Sequence, residues 1–352
     1  MRRQSAEHRQ NSPEPPVNAA PRWAAGTVVI PDEDGKATVR SPFANSAVLM
    51  GRRALISLAA GENDISGLAV LRDCGLLEAD AIDDDTGRGL EHWHARGWSH
   101  ALTTYLWSRR ASFQDDGEAY RDRQMEALAT FLREDGPPPS PRRAATRPMV
   151  LPEPAPLPET PVGEVLRKRV TSRTLHRRAF GDQRLSDLLG HGLARASRNR
   201  DPDPADPQRF LFSYGAAFDY YVAVYDVHGI ESGIHLYDPS THALDDLGTV
   251  HGEAETRAAC KELFIGQRQV ETAAATVFVV ADFPRYQWRY RHERGLRNLY
   301  FDSARVGQAL ILVATACGLQ TWLTPAVRDS LGERLFQLAP IDHQVLTTVT
   351  VA

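Results

Sequence analysis

The chain has 352 residues, a formal net charge of −4, 42% hydrophobic residues and 24% charged residues. The length suits two domains or one large one, and the composition is that of an ordinary globular protein. No run of 18 apolar residues occurs, which excludes a membrane-spanning helix, and the mild acidity gives no bulk attraction to nucleic acid.

The polar N-terminus, with Arg2, Arg3, Glu7 and Arg9, lacks the apolar centre of a secretory signal. Cys74, Cys260 and Cys317 have neither metal nor redox spacing, so no metal site is expected, and the cytoplasm is the expected compartment. Lysine occurs only at Lys36, Lys168 and Lys261, so the other 38 of the 41 basic residues are arginine. Any chemistry that needs a lysine has three candidates.

In chain order, residues 1–22 are rich in Pro, Asn, Gln, Glu and Arg and are expected to form a disordered tail. Residues 54–60 read as a short apolar helix and residues 61–64 as a turn. Ile65, Leu68, Ala69 and Leu71 then fall at helical spacing, with Gly75-Leu76-Leu77 closing the segment. This helix–turn–helix predicts a small winged-helix-like, helical domain over 23–134, which is either peptide-binding or a small helical packing domain. Residues 43–90 hold four Arg against eight Asp plus Glu, which argues against DNA. Residues 91–113 carry Trp93, Trp98, Tyr105, Trp107 and Phe113 with His92, His94 and His100. His92 and His94 at i, i+2 point apart on a helix, so aromatic packing is expected there rather than a metal.

Ten prolines lie between Pro137 and Pro161, alternating at Pro152, Pro154, Pro156 and Pro158. Such a run favours extended chain and forbids helix, which predicts a linker over 135–162. In the body, 163–352, Leu185, Leu188, Leu189 and Leu193 mark one helix face. Residues 220–225, 277–281 and 346–351 read as strands. Residues 304–317, apolar nearly all round, read as a buried central helix. The mixture predicts an α+β core with a mixed sheet flanked by helices.

The segment Arg169-Val170-Thr171-Ser172-Arg173 places two guanidinium forks around a hydroxyl, a pattern suited to a phosphate or an electron-rich ring edge. Ser213-Tyr214-Gly215-Ala216 is a small-residue turn before a strand, where a backbone could approach a ligand. There follow Gly229 to Pro239 with Gly233 and Tyr237-Asp238-Pro239, then Trp288-Arg289-Tyr290, then Phe301-Asp302-Ser303 through Gln308, and Cys317-Gly318-Leu319.

In this order the motifs resemble the nitroreductase superfamily. Within it they are most similar to the SagB-type dehydrogenases that mature azole-containing peptides. The resemblance covers roughly 163–352. It implies a nitroreductase-like fold and FMN bound at a homodimer interface. It further implies that Arg169, Thr171 and Arg173 hold the flavin from one subunit, while Ser213, Tyr214, Gly215 and Ala216 hold it from the other. Leu323, Thr324 and Pro325 would complete the pocket. A precursor peptide as substrate and a cyclodehydratase as partner are also implied, with the N-terminal domain gripping the peptide leader. No Gly-x-Gly-x-x-Gly turn supports a dinucleotide fold.

The implied reaction oxidises a thiazoline or oxazoline by removing a proton from one ring carbon and a hydride from the other. The branch's Lys-Tyr pair stands here as Arg289-Tyr290. Arginine stays protonated and is a poor general base. Tyr290 is therefore the expected acid or base, and Arg289 the group that fixes a carbonyl or offsets developing charge. Alternatives are a nitroreductase-type flavoenzyme that uses NAD(P)H on a small molecule or a dehydro-residue, and a non-catalytic peptide-binding subunit.

Overall fold

The computed structural model describes residues 21–42, 47–62, 68–77, 84–109, 119–144, 148–178, 180–200 and 214–352. The expected tail at 1–22 lies almost wholly outside them, as do Asn63 and Asp64 of the expected turn and Ile65, expected to open the next helix. Two compact units divide between Phe113 and Gln114, upstream of the Pro-rich segment expected to separate the domains.

In the first unit, β1 (Val28–Pro31), β2 (Lys36–Arg40) and β3 (Val48–Gly51) form an antiparallel meander. Here β3 runs directly into α1 (Arg52–Ala59), and α2 (Leu68–Asp73) follows. Val39, Met50, Leu58, Leu71, Leu76 and Leu77 form one small core, so both expected helices pack on the sheet. The aromatic stretch breaks into α3 (Asp84–Ala95) and α4 (Ser99–Arg109) around Gly97, whose φ of 72° suits glycine. Trp93 stacks on Tyr105 at 5.5 Å and meets Trp98 edge-on at 5.7 Å, the aromatic packing that the spacing predicts.

The second unit opens with α5 (Tyr120–Asp135), where the sequence suggested an N-terminal domain reaching residue 134. Its Phe131 meets Trp288 at 6.1 Å, and Asp135 pairs with Arg291 at 2.5 Å. The Pro-rich stretch that follows is a strap on this unit. It contributes β4 (Met149–Val150) to the main sheet. Prolines cannot donate, so the strap's polar needs are mainly carbonyl acceptors. Ser186 donates to the Pro152 carbonyl, and His191 Nε2 lies 2.7 Å from that of Ala155. Gly190 makes room, since a Cβ there would sit 2.3 Å from Pro154.

After the strap come α6 (Val162–Lys168), α7 (Asp182–Ser197), β5 (Phe218–Val224), β6 (Gly233–Asp238), β7 (Ala243–His251), α8 (Gly252–Leu263) and β8 (Ala275–Asp282). Then follow α9 (Phe283–Arg289), α10 (Arg294–Ala316), β9 (Thr321–Thr324), α11 (Asp329–Leu335) and β10 (His343–Val351). The strand order is β4-β7-β6-β5-β8-β10-β9, and every neighbouring pair is antiparallel. The α+β class holds. The sheet is not mixed, because strands of one direction never neighbour each other; β10, for example, inserts between β8 and β9. Among the described residues of this unit, parallel contact is confined to isolated bridges such as Thr171 with Thr321.

Both sheet faces are covered, and β5 alternates between them with the period of a strand. Phe218, Tyr220, Val222 and Val224 join one core with Leu185, Leu188, Leu189 and Leu193 of α7 and Val306 and Leu310 of α10. Tyr221 and Ala223 join the other with Cys260 and Leu263 of α8 and Leu335 of α11. The central helix begins ten residues before the apolar run that announced it. Phe301, Ala304, Arg305 and Gln308 on its outer side are exposed, so a single chain leaves one face of the expected buried helix uncovered.

Burial pushes the Cys260 thiol up to about 12, which withholds the reactive thiolate. At a pH of about 8 a thiol reagent should therefore label at most Cys74 and Cys317 in the folded protein, and all three after unfolding. Counting labelled cysteines by mass spectrometry checks this.

Candidate functional site

The arginine segment leaves α6 at Arg169 in extended conformation and runs beside the edge strand β9. The Ser172 N–H donates to the Thr321 carbonyl at 2.7 Å, and Thr321 Oγ1 donates to that of Val170 at 3.2 Å. Alternation in the extended chain puts Arg169 and Thr171 on one side, with Arg173 at the following bend. Lys168 is taken by Glu164 at 2.5 Å. The guanidinium groups of half-buried Arg169 and exposed Arg173 have no side-chain partner among the described residues. Leu323 and Thr324 lie on the same strand, and Pro325 follows, exposed. The structure thus seats the segment on Thr321, with Arg169 and Arg173 flanking that contact, Leu323 and Thr324 further along the same strand and Pro325 just after it.

A second group gathers at the other end of the sheet. Ser213 lies outside the described residues. Tyr214, Gly215 and Ala216 turn into β5 with their carbonyls all engaged. Asn199 Nδ2 donates to Tyr214 at 2.7 Å, the Phe218 N–H to Gly215 at 3.4 Å, and Arg285 to Ala216. Gly215 has a φ of 80°, and a Cβ there would lie 2.4 Å from the Ala196 backbone. The sequence suggested that this glycine lets the chain approach a ligand. Its close approach is to α7.

Tyr290 ends α9, its N–H donating to the Tyr286 carbonyl at 3.0 Å. The two rings lie 4.7 Å apart, and the Arg289 guanidinium carbon is 5.2 Å from the Tyr290 ring. Positions 286, 289 and 290 share one helix face by their i, i+3, i+4 spacing. Tyr286 Oη and Arg289 Nη1 are buried with no hydrogen-bond partner among the described residues. Burial pushes the Tyr286 hydroxyl well up, and nearby Tyr290 and Asp302 add to this while Arg289 opposes it.

Two residues of α10 link this corner to the turn. Asp302 pairs with Arg305 at 2.9 Å, and the Arg305 guanidinium stands 4.1 Å from the Tyr214 ring centre. Burial raises the Tyr214 hydroxyl, and Arg305 works against that rise. Tyr286 and Arg305 have no counterpart in the sequence-based site. The i, i+3 spacing of Asp302 and Arg305 on a helix, and of Tyr286 and Arg289, is the signal that could have found them.

The two groups are separate within one chain. The turn precedes β5, and the arginine segment lies outside β9. Through β8, β10 and β9 to the segment itself that is four strand spacings, about 19 Å across the sheet. The helix α10 passes both, with Gly307 against Leu323 and Thr347.

No family model matches the chain. "Trifolitoxin operon protein TfxC" of Rhizobium leguminosarum bv. trifolii is 24% identical over 275 residues, 75% of this chain and 75% of that protein. "Putative nitroreductase MJ1384" of Methanocaldococcus jannaschii is 31% identical over 121 residues, 34% of this chain and 58% of that protein. Among solved structures, one chain of the E. coli microcin synthetase McbBCD complex with truncated pro-MccB17 bound aligns with a TM-score of 0.42 and 16% identity. That alignment covers 82% of this chain and 98% of that one.

Gly215→Ala tests the local geometry. The added methyl meets the α7 backbone in a left-handed conformation and should destabilise the protein by about 2–5 kcal/mol. Denaturant unfolding measures the loss.

Proposed function

We propose that this chain, a member of the SagB-type branch of the nitroreductase superfamily, is an FMN-dependent oxidoreductase that acts on a ribosomally made peptide and oxidises its azoline rings to thiazole or oxazole. The observation that carries the reading is the pair of unpartnered guanidinium groups, Arg169 and Arg173, flanking Thr171 on the sheet edge. Forked donors held open in this way fit a phosphate. Arg169 and Arg173 bind it, Thr171 adds a hydroxyl donor, and Leu323 to Pro325 form the wall beside them. The turn Tyr214 to Ala216 contacts the flavin from the partner subunit. When bound, FMN supplies the acceptor for the hydride.

The protein's own part is to place the azoline and take its proton. Tyr290, as the tyrosinate, would receive that proton on Oη and become the neutral phenol. Arg289, protonated throughout, does not act as a base. Its charge beside the Tyr290 ring offsets the negative charge that develops as the proton leaves. On the opposite face of α9, Trp288 and Arg291 line a groove of about 510 Å³ with Pro137 and Pro139, and an extended peptide fits there. In the first unit, exposed Val29, Ile30 and Leu49 accompany the acidic Asp32, Glu33 and Asp34. That combination suits a basic or amphipathic leader. A cyclodehydratase that makes the azoline would act immediately before.

A second copy of the chain completes the site. On α6 and just beyond it, Val162, Leu166 and Val170 recur every four residues and are 72%, 55% and 59% exposed. Phe301 on the adjoining α10 is 56% exposed. Covering these apolar groups favours self-association.

The purified dimer should carry flavin absorbance, and Phe301→Glu should give a monomer that loses it, read by gel filtration with simultaneous visible absorbance. A colourless wild-type dimer that takes up no FMN would falsify the flavin reading. Tyr290→Phe should keep its flavin and lose about 100-fold in turnover of an azoline peptide, as expected for removal of a general acid or base. An unchanged rate removes Tyr290 from the mechanism.

A further inference from the structure

Arg285 sits on α9, four residues before Arg289, and is only 6% exposed. Its guanidinium donates to Asp219 Oδ1 at 3.2 Å, to the Arg200 carbonyl at 3.3 Å and to the Ala216 carbonyl. Its own N–H donates to Asp282 Oδ1 at 3.0 Å, the cap that starts α9. One side chain therefore grips the turn before β5 while riding on the helix that ends in Arg289 and Tyr290.

Arg200 provides the internal contrast. It is as buried as Arg285 and pairs with the same Asp219 oxygen at 2.6 Å. Its other donations go to the carbonyls of Phe218 at 3.1 Å and Arg142 at 2.7 Å. It holds the strap and β5, and donates neither to the turn nor to α9. Buried ion pairs recover little net stability after desolvation, so stability alone does not account for a second guanidinium on Asp219.

The turn's carbonyls face inward, onto Asn199, Phe218, Arg285 and the Asp282 N–H, which donates to Ala217 at 2.9 Å. A peptide unit points its N–H opposite its carbonyl. The N–H groups of Ala216 and Ala217 accordingly face away from these donors and have no hydrogen-bond acceptor among the described residues. Such a row of donors suits an electron-rich ring edge.

We propose that Arg285 is a positioning residue that locks the Tyr214–Ala216 turn to α9, so that the flavin-facing N–H groups and the Arg289–Tyr290 pair are held as one body. This rests on the flavin reading above. The fork is what the role requires, because a lysine ammonium at 285 cannot span Asp219, Ala216 and Arg200 at once.

The test compares Arg285→Lys with Arg200→Lys in the full-length protein. Arg285→Lys should weaken FMN binding about tenfold and alter the visible flavin spectrum. Arg200→Lys should lower the unfolding midpoint and leave both unchanged. The proposal is overturned if Arg285→Lys binds FMN like the wild type, or if both variants weaken it alike. If Arg285→Lys does not fold, the pair Asp219→Asn with Arg285→Gln, which leaves no unpaired carboxylate, carries the same expectation. Amide exchange separates this proposal from the flavin reading. With or without FMN, Arg285→Lys should speed exchange at 214–217 and at the end of α9 together, and exchange that rises at only one of them, or at neither, overturns the lock.

Discussion

A seven-stranded antiparallel sheet keeps the arginine segment and the Tyr214–Ala216 turn four strand spacings apart. The spacing cannot close by small adjustments, since each strand is fixed to the next by its hydrogen-bond ladder. Within one chain the arginine segment and the turn are therefore separate groups. The uncovered face of α10 runs between them, lined by exposed Phe301 and Ala304 next to the apolar outer face of α6.

At the turn end, the packing centres on Asp219, fully buried between two guanidinium groups. Removing either arginine would leave a partly uncompensated charge where water cannot reach it. The carboxylate therefore commits the strap, β5, α9 and the turn to one arrangement. The strap is fixed along its length by Asp238, Ser186, His242 and Asp187, which bond to Arg143, Pro152 and Ala155. A segment expected as a spacer between domains is thus part of the sheet's edge. Proline periodicity reports that a chain is extended, and is silent on whether anything lies alongside it.

The elements with strong periodicity were legible in the sequence. Leu185, Leu188, Leu189 and Leu193 marked α7, and the continuous apolar run at 277–281 marked β8. The arginine segment was found from its pattern, and its contact on β9 is with Thr321, two residues before the Leu323 suggested with it. The first ten residues of α10 were missed because Arg294, Arg297 and Asn298 break the apolar run, although the buried stripe continues through Leu299 and Asp302. A glycine requirement at 215 reveals only that something comes close, and within the chain that is Ala196. Arg285 was invisible for a compositional reason. Among 38 arginines no single one stands out until its partners are known.

The central claim is that each complete site takes its forks from one subunit and its turn from the other. Mixing two defective variants tests it most directly. Arg173→Glu disables the forks, and Ala216→Glu blocks the turn. If sites are shared, each variant alone binds no FMN, and a reassociated equal mixture recovers about a quarter of the wild-type sites, since half the dimers are mixed and each of those has one intact site of two. If each chain builds its own site, the mixture binds no more FMN than the two variants do separately, and the shared-site account is wrong.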